Sequence, residues 1–375
     1  MKKIIPIIFL VSVFFPSFLI GKKSNWRNYS EQETIIVENR GPGLWEQKRE
    51  KRADFIETLS LGEESGDENL VFYSIISIAV DWELNIYVLD SRNFQILKFD
   101  KEGKFLWKAG REGQGPGEFQ RPINVAVNKS NGVAILDNRR ILSQFDLNGN
   151  FQKNVKFQKS IIICQILPDG RLFANLSVLG QPGILAEYYS EDGAFIKKFP
   201  YEYYYGPKLL PSHGVSIGGE FSLQGNKIYL SLPDQYEIRE YDLEGKLLRK
   251  IKRDLKLKPP NIIESGGTVQ VGPSDKSGPC FVIKNNLIVN SVTIYKFKNK
   301  KEEDRVMMGR TFKGVFNQVD TVNRFLDFFN KEGKYLGSKD INDDIFFNTV
   351  DHEGNFYFVQ SSPFPRVSRR KLVIK

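Results

Sequence analysis

Cysteine, histidine and methionine are scarce: the 375 residues include only two, two and three of them. Two thiols cannot build the disulfide framework of a small secreted scaffold. Cys164 and Cys280 lie in separate apolar runs, which reads as two buried free thiols, with one disulfide as the alternative. Zinc spacing of the Cys-x-x-Cys kind is absent, and only His213 and His352 exist to supplement it. No Gly-Lys-Ser/Thr follows the one glycine-rich stretch, so a phosphate-cradling loop is not indicated. Three methionines beside 13% aromatic residues and 31 glycines argue against a helical bundle and for β-structure interrupted by turns.

Long hydrophobic runs are also missing, apart from one. Ile4 to Ile20 is apolar except for Ser12, Ser17 and two prolines, and Met1-Lys2-Lys3 precedes it with positive charge. This is the pattern of a secretory signal over residues 1–21, and it implies export to the periplasm or the extracellular space. An uncleaved N-terminal anchor, near the short limit of a membrane span, is the alternative. No cysteine follows the run, so attachment through a lipidated N-terminal cysteine is excluded. Residues 22–52, rich in Lys, Glu, Asn and Arg, read as a polar spacer.

The net charge of +9 becomes +7 once Lys2 and Lys3 are removed with the leader. Basic residues are spread along the chain, apart from Lys48–Arg52 and Arg366–Lys371, and export separates the protein from most nucleic acid. Nucleic-acid binding is therefore not expected.

Internal repeats decide the architecture. Phe99-Asp100-Lys101-Glu102-Gly103-Lys104-Phe105 recurs at Phe145–Phe151, Tyr189–Phe195, Tyr241–Leu247 and Phe329–Tyr335. Each copy has an aromatic residue four positions before a glycine and an apolar one two after it, the pattern of a hairpin whose turn needs a left-handed residue. A second hairpin unit appears six times: Ile78–Leu89, Val125–Leu136, Ile163–Ala174, Phe221–Leu230, Phe281–Val289 and Ile345–Val359. Alternating the two units gives four-stranded antiparallel sheets with the period of propeller blades.

Six inner hairpins face only five outer ones, and Phe55–Gly62 matches the outer-strand pattern of Gly103–Gly110. The expected fold is therefore an all-β, six-bladed propeller over residues 53–375 whose last blade is closed by an N-terminal strand near Ala53–Leu61. The turn glycines at 103, 149, 193, 245 and 333 are 46, 44, 52 and 88 residues apart. The last interval leaves room for a seventh blade, but it contains a single inner hairpin, and the excess falls in polar Lys298–Asp320.

The stretch Gly110-Arg111-Glu112-Gly113-Gln114-Gly115-Pro116-Gly117-Glu118-Phe119-Gln120-Arg121-Pro122, set between Ile86–Asp90 and Val125–Val127, resembles the linker of NHL-repeat propellers. More narrowly, the chain is similar to exported bacterial six-bladed propellers of that type, closely over residues 53–250 and loosely beyond. The resemblance implies an architecture and is nearly silent on activity.

Candidate sites follow from departures from the repeat. Asp81, Asp90, Asp137, Asp169 and Asp351 recur near inner-hairpin ends. Carboxylates converging on one mouth of a propeller channel could hold Ca²⁺, while Asx turns explain the same pattern without a metal. His352 sits in the turn Asp351–Gly354 and His213 in a Pro/Ser/Gly loop. The run Tyr201-Glu202-Tyr203-Tyr204-Tyr205-Gly206-Pro207 fits no blade unit. Tyr201, Tyr203, Tyr204 and Tyr205 are the candidate binding residues, since rings on a loop offer rigid contact area; packing beneath a long loop is the alternative.

The expectation is a monomeric, exported binding scaffold for a peptide, glycan or envelope protein, with no cofactor and no catalysis. The alternative is a Ca²⁺- or Zn²⁺-dependent hydrolase or lyase with its site at the channel mouth.

Overall fold

The computed structural model describes residues 26–31, 34–48, 53–128, 132–137, 140–176, 185–199, 220–232, 235–258, 262–265, 268–271, 275–301, 319–341 and 345–375. The chain opens with β1 (Trp26–Glu31), β2 (Thr34–Asn39), a helical turn α1 (Leu44–Lys48) and β3 (Ala53–Leu61). Blade 1 is β4 (Ile75–Val80), β5 (Ile86–Asp90), β6 (Gln95–Phe99) and β7 (Phe105–Ala109). Blade 2 is β8 (Pro122–Asn128), β9 (Gly132–Asp137), β10 (Ile141–Phe145) and β11 (Phe151–Lys156). Blade 3 is β12 (Ile161–Ile166), β13 (Leu172–Leu176), β14 (Leu185–Tyr189) and β15 (Phe195–Lys198). Blade 4 has β16 (Glu220–Gln224), β17 (Lys227–Ser231), β18 (Glu237–Asp242) and β19 (Leu247–Arg253). A small hairpin, β20 (Ile262–Ser265) and β21 (Thr268–Val271), leads to blade 5, which is β22 (Lys276–Ile283), β23 (Leu287–Phe297), β24 (Val319–Phe329) and β25 (Tyr335–Ile341). Blade 6 is β26 (Ile345–Val350), β27 (Asn355–Gln360), β28 (Arg366–Ile374) and, from the front of the chain, β3.

The molecule is thus a six-bladed propeller of four-stranded antiparallel sheets, closed where β3 pairs with β28 from Leu61↔Val367 to Ala53↔Ile374. The long interval before Gly333 is occupied by β20–β21 and by β23 and β24, each 11 residues long. No seventh blade fills it among the described residues. Second strands such as β5, β9 and β13 are buried at every position. Both their faces pack on neighbouring blades, so they read as continuous apolar runs rather than alternating ones.

The outer turns interlock the blades. Asp100, Asp146, Asp242 and Asn330 each accept two backbone N–H groups through Oδ1. The glycine that follows takes positive φ, as at Gly149 (φ 86°). A Cβ there would also lie 2.8 Å from the Trp107 ring of blade 1. A polar clasp reaches each next blade. Trp107 Nε1 donates to Leu147 O, Lys153 meets Asp192, Lys197 meets Glu244, and Arg249 donates to Lys331 O. Lys339 pairs with Asp54 and Arg369 donates to Lys101 O, which completes the six interfaces.

The polar-spacer expectation needs correction, because residues 26–48 carry two strands and a helical turn. The pair β2 and β19 is parallel, with Arg249↔Ile35 to Arg253↔Asn39 in register, so blade 4 has six strands. Ile36 and Val37 are buried, and Asn39 ties two blades together: its Nδ2 donates to Lys252 O and Gly333 O while its Oδ1 accepts the Tyr335 N–H. Trp45 packs on Phe328, ring centroids 5.4 Å apart. Charged flanks disguise a short apolar core of Ile35-Ile36-Val37.

Two substitutions test this packing. Trp45→Ala empties a site inside the blade 5–6 core and is expected to cost about 3 kcal/mol in urea unfolding. Gly149→Val, strained at positive φ and in collision with Trp107, is expected to cost about 2 kcal/mol or more. Unchanged unfolding midpoints would show that the arm and the turns are dispensable.

Candidate functional site

The first strand of every blade faces the propeller axis. Five of the six carry a bulge: Ile75/Ser77, Pro122/Asn124, Ile161/Ile163, Ser277/Cys280 and Phe347/Thr349 mark the register shifts. A bulge re-aims the side chains around it, and here those side chains form a belt from blade to blade. Asn348 Oδ1 accepts the Ile78 N–H at 2.9 Å, Ser77 Oγ accepts that of Val125 at 3.2 Å, and Asn124 Oδ1 accepts that of Cys164 at 3.1 Å. Gln165 Nε2 donates to Phe221 O at 3.2 Å, and Ser222 Oγ donates to Cys280 O. The sixth interface closes by an edge contact of Phe281 and Phe347, 5.0 Å between centroids.

The belt encloses an axial channel of about 510 Å³, and among the described residues that line it none is charged. An ion entering it would lose hydration without gaining a counter-charge, so the wall favours neutral groups. At the end where the first strands begin, apolar side chains stand in solvent: Ile76 is 38% exposed, Phe346 46% and Tyr73 61%. Ile76 and Phe346 occupy equivalent second positions of β4 and β26 in adjacent blades. The guanidinium of Arg324 lies 4.6 Å over the Phe346 ring.

The five aspartates do not converge on one mouth. Asp81 and Asp351 sit in matching turns, Asp81-Trp82-Glu83-Leu84-Asn85 and Asp351-His352-Glu353-Gly354-Asn355. Each Oδ1 accepts two backbone N–H groups, and each Oδ2 takes an Asn Nδ2–H and a Tyr O–H (Tyr87 or Tyr357). Asp90 and Asp137 lie at the opposite ends of the second strands and accept the N–H groups of Tyr73 and Ser74, or of Gln120 and Arg121. Asp169 pairs with its neighbour Arg171. Asp81, Asp169 and Asp351 serve turns, as the Asx-turn reading has it, and the five carboxylates divide between the two ends instead of converging on one channel mouth.

Among the described residues no group of three or more His, Cys, Asp or Glu is placed to hold a metal. His352 is half exposed, 3.9 Å from Glu353. His213 and the candidate residues Tyr201, Tyr203, Tyr204 and Tyr205 lie outside the described residues. So does Gly214-Val215-Ser216-Ile217-Gly218, which has the spacing of a nucleophile elbow and escapes the sequence reading above. In the chain it falls between β15 and β16.

Five buried carboxylates escape the sequence pattern: Glu187, Glu237, Glu240 and Asp327 on third strands, and Asp275 just before β22. Asp327 is held by Arg253, Tyr236 and Ser338, and burial pushes its carboxyl above the usual range against the pull of Arg253. The signal for it is an acid inside an otherwise apolar run, Phe325-Leu326-Asp327-Phe328-Phe329.

Both cysteines are free and buried, and burial pushes the Cys164 thiol up to about 12. The loop Gly110–Pro122 lodges Phe119 between blades 1 and 2, and a Cβ at Gly110 (φ 95°) would lie 2.3 Å from that ring.

Comparison with known proteins reaches the fold. A family described as a 6-bladed beta-propeller, DUF5128, matches residues 31–205. Among solved structures, a DUF4221 family member from Bacteroides vulgatus is similar at 12% identity and TM-score 0.58, covering 86% of this chain and 98% of its own. A protein of Bacteroides fragilis described as exported is similar at 11% identity and TM-score 0.55, covering 90% of this chain and 99% of its own. No curated protein matches the chain. No helix among the described residues is long and apolar enough to cross a membrane.

Two outcomes are expected. Asp81→Ala strands several turn N–H groups and is expected to cost about 2 to 4 kcal/mol, while added Ca²⁺ or a chelator leaves the wild-type melting temperature unchanged. A Ca²⁺-dependent rise in melting that Asp81→Ala abolishes would instead make Asp81 a ligand. Neither thiol should react with iodoacetamide at pH 8 in the folded chain, because a thiol titrating near 12 is ionised to only about one part in ten thousand. Both should react in urea. Rapid native alkylation would contradict their burial.

Proposed function

We propose that the protein is an exported, non-catalytic binding scaffold of the NHL propeller type. It engages an extended peptide, a glycan or an envelope protein at the face where the first strands begin. The observation that carries the reading is the exposed trio Ile76, Phe346 and Tyr73 beside an uncharged channel, on a face where Asp90 and Asp137 are already committed to backbone N–H groups. Exposed apolar and aromatic side chains beside a concavity are the common anchors of recognition surfaces. Export rests on the Lys2–Gly21 leader, and the NHL-type reading on Gly110–Pro122. The segment that carries Tyr201, Tyr203, Tyr204 and Tyr205 joins the end of β15 to the start of β16, and it is assigned to the same recognition surface.

The test compares wild type with an Ile76→Ser/Phe346→Ser variant and a Tyr203→Ala/Tyr204→Ala/Tyr205→Ala variant, in crosslinking to fractionated cell envelope. Both variants are expected to keep the wild-type melting temperature and to lose a defined crosslinked partner at least tenfold. Retention of the partner by both variants would overturn the reading. So would hydrolysis of ester or lactone substrates, whether sensitive to a chelator or abolished by Ser216→Ala.

A further inference from the structure

We propose that a second cleft, between blades 4 and 5 on the face opposite the exposed rim, binds an amphiphilic organic monoanion. The ligand class is a carboxylate or phosphate monoester on an acyl or aryl body. The cleft has a volume of about 440 Å³, within the range of small-molecule sites. Its floor is Tyr229, Val282 and Ile288, and its outer wall is Ile35 of β2. The N-terminal arm therefore builds the site. Ile35 is 48% exposed, although its neighbours Ile36 and Val37 are buried, so it presents apolar surface to whatever occupies the cleft.

The corresponding register position holds Lys153 in blade 2 and Lys197 in blade 3. In blade 1 it holds Trp107, which faces Lys98 across β6 and β7 and donates to Leu147 O in the next blade's outer turn. In blade 4 the same register position holds Arg249, facing Glu240 and donating to Lys331 O in the outer turn of blade 5. The interblade hydrogen bond is preserved, while a flat ring is replaced by a guanidinium drawn back onto a buried carboxylate. Glu240 is 3% exposed and takes both Arg249 and Lys227.

Charge sets the ligand's sign. Lys227, Arg249 and Lys331 face the two carboxylates Glu240 and Glu332, which leaves one positive charge unbalanced. Glu240 is saturated by its two partners. Lys331 is 68% exposed, with only a 3.9 Å approach to the adjacent Glu332, so its ammonium is available to an incoming anion. Arg249 acts as a positioning residue, since its donors hold Glu240 and the Lys331 turn. A monoanion neutralises the cleft, and an apolar body covers Ile35, Val282 and Ile288. Each methylene so buried tightens binding by about fourfold.

Calorimetric titration of the mature chain with decanoate, decyl phosphate, decanol and inorganic phosphate tests the proposal. One molecule of decanoate or decyl phosphate should bind per chain, with decanol and inorganic phosphate at least tenfold weaker. Lys331→Gln should weaken decanoate about fivefold, and Ile35→Ser about tenfold, without a change in melting temperature. Displacement of the chain from phosphatidylglycerol vesicles by decanoate would identify a membrane lipid as the source. Decanoate binding with no vesicle binding would identify a free amphiphile. The proposal is overturned if decanoate does not bind, if decanol binds as tightly, or if both variants bind decanoate like wild type. None of these results bears on recognition at the opposite face.

Discussion

The ring depends on one contact between the two ends of the chain, the pairing of β3 with β28. Thr58 hydrogen-bonds to Arg369 across 311 residues of sequence. Bringing such distant segments together carries a loop-closure cost that grows slowly with length. The return is that each blade then has a neighbour on both faces. Without closure, blades 6 and 1 would expose the apolar cluster that joins Ile86, Val88 and Phe99 to Tyr357, Val359 and Val367. That exposure, together with an open sheet edge, is the condition under which β-proteins associate wrongly.

Closure also explains why polar groups sit where they do. The side chains of the inner belt bind the neighbouring blade's backbone, and the outer clasps reach its turn carbonyls or acids. A blade is therefore held at two radii as well as by the apolar layer between them. Such bonds are individually modest. Their effect is angular: Ser77, Asn124 and Asn348 each accept from one particular N–H of the next first strand, which sets the rotation between blades and the width of the channel.

The N-terminal arm makes one side of the ring unlike the rest. By adding β1 and β2 to blade 4 and seating Trp45 on blade 5, it spans the outer edges of two blades before β3 completes the third. The same register position holds Trp107 in blade 1, Lys153 in blade 2, Lys197 in blade 3 and Arg249 in blade 4, and only beside Arg249 does the arm add a wall, Ile35, to form the cleft. The two ends of the propeller thus offer different chemistry. The end where the first strands begin has apolar side chains around a neutral channel, and the turn end has a cationic, half-apolar cleft.

The sequence by itself determined the number of blades and their turns, because those features are local, and it marked the closing strand, whose partner is distant, because that strand repeats the outer-strand pattern. The aromatic residue four before each glycine and the apolar one two after it encode a hairpin within a few residues. The kinship of Phe55–Gly62 with an outer strand is visible without any contact map. What only the tertiary structure decided depends on partners distant in the chain. The strand β2 pairs in parallel with β19, more than 200 residues away, and a parallel pair has no connecting turn to announce it. Asp81 and Asp351 carry the same residue types whether they cap a turn or bind a cation, and only the position of the backbone N–H groups distinguishes the two. Arg249 stands four residues after Gly245 as Trp107 stands four after Gly103, so their equivalence is visible in the repeat, but the cleft needs Ile35, which reaches Arg249 only through the pairing of β2 with β19.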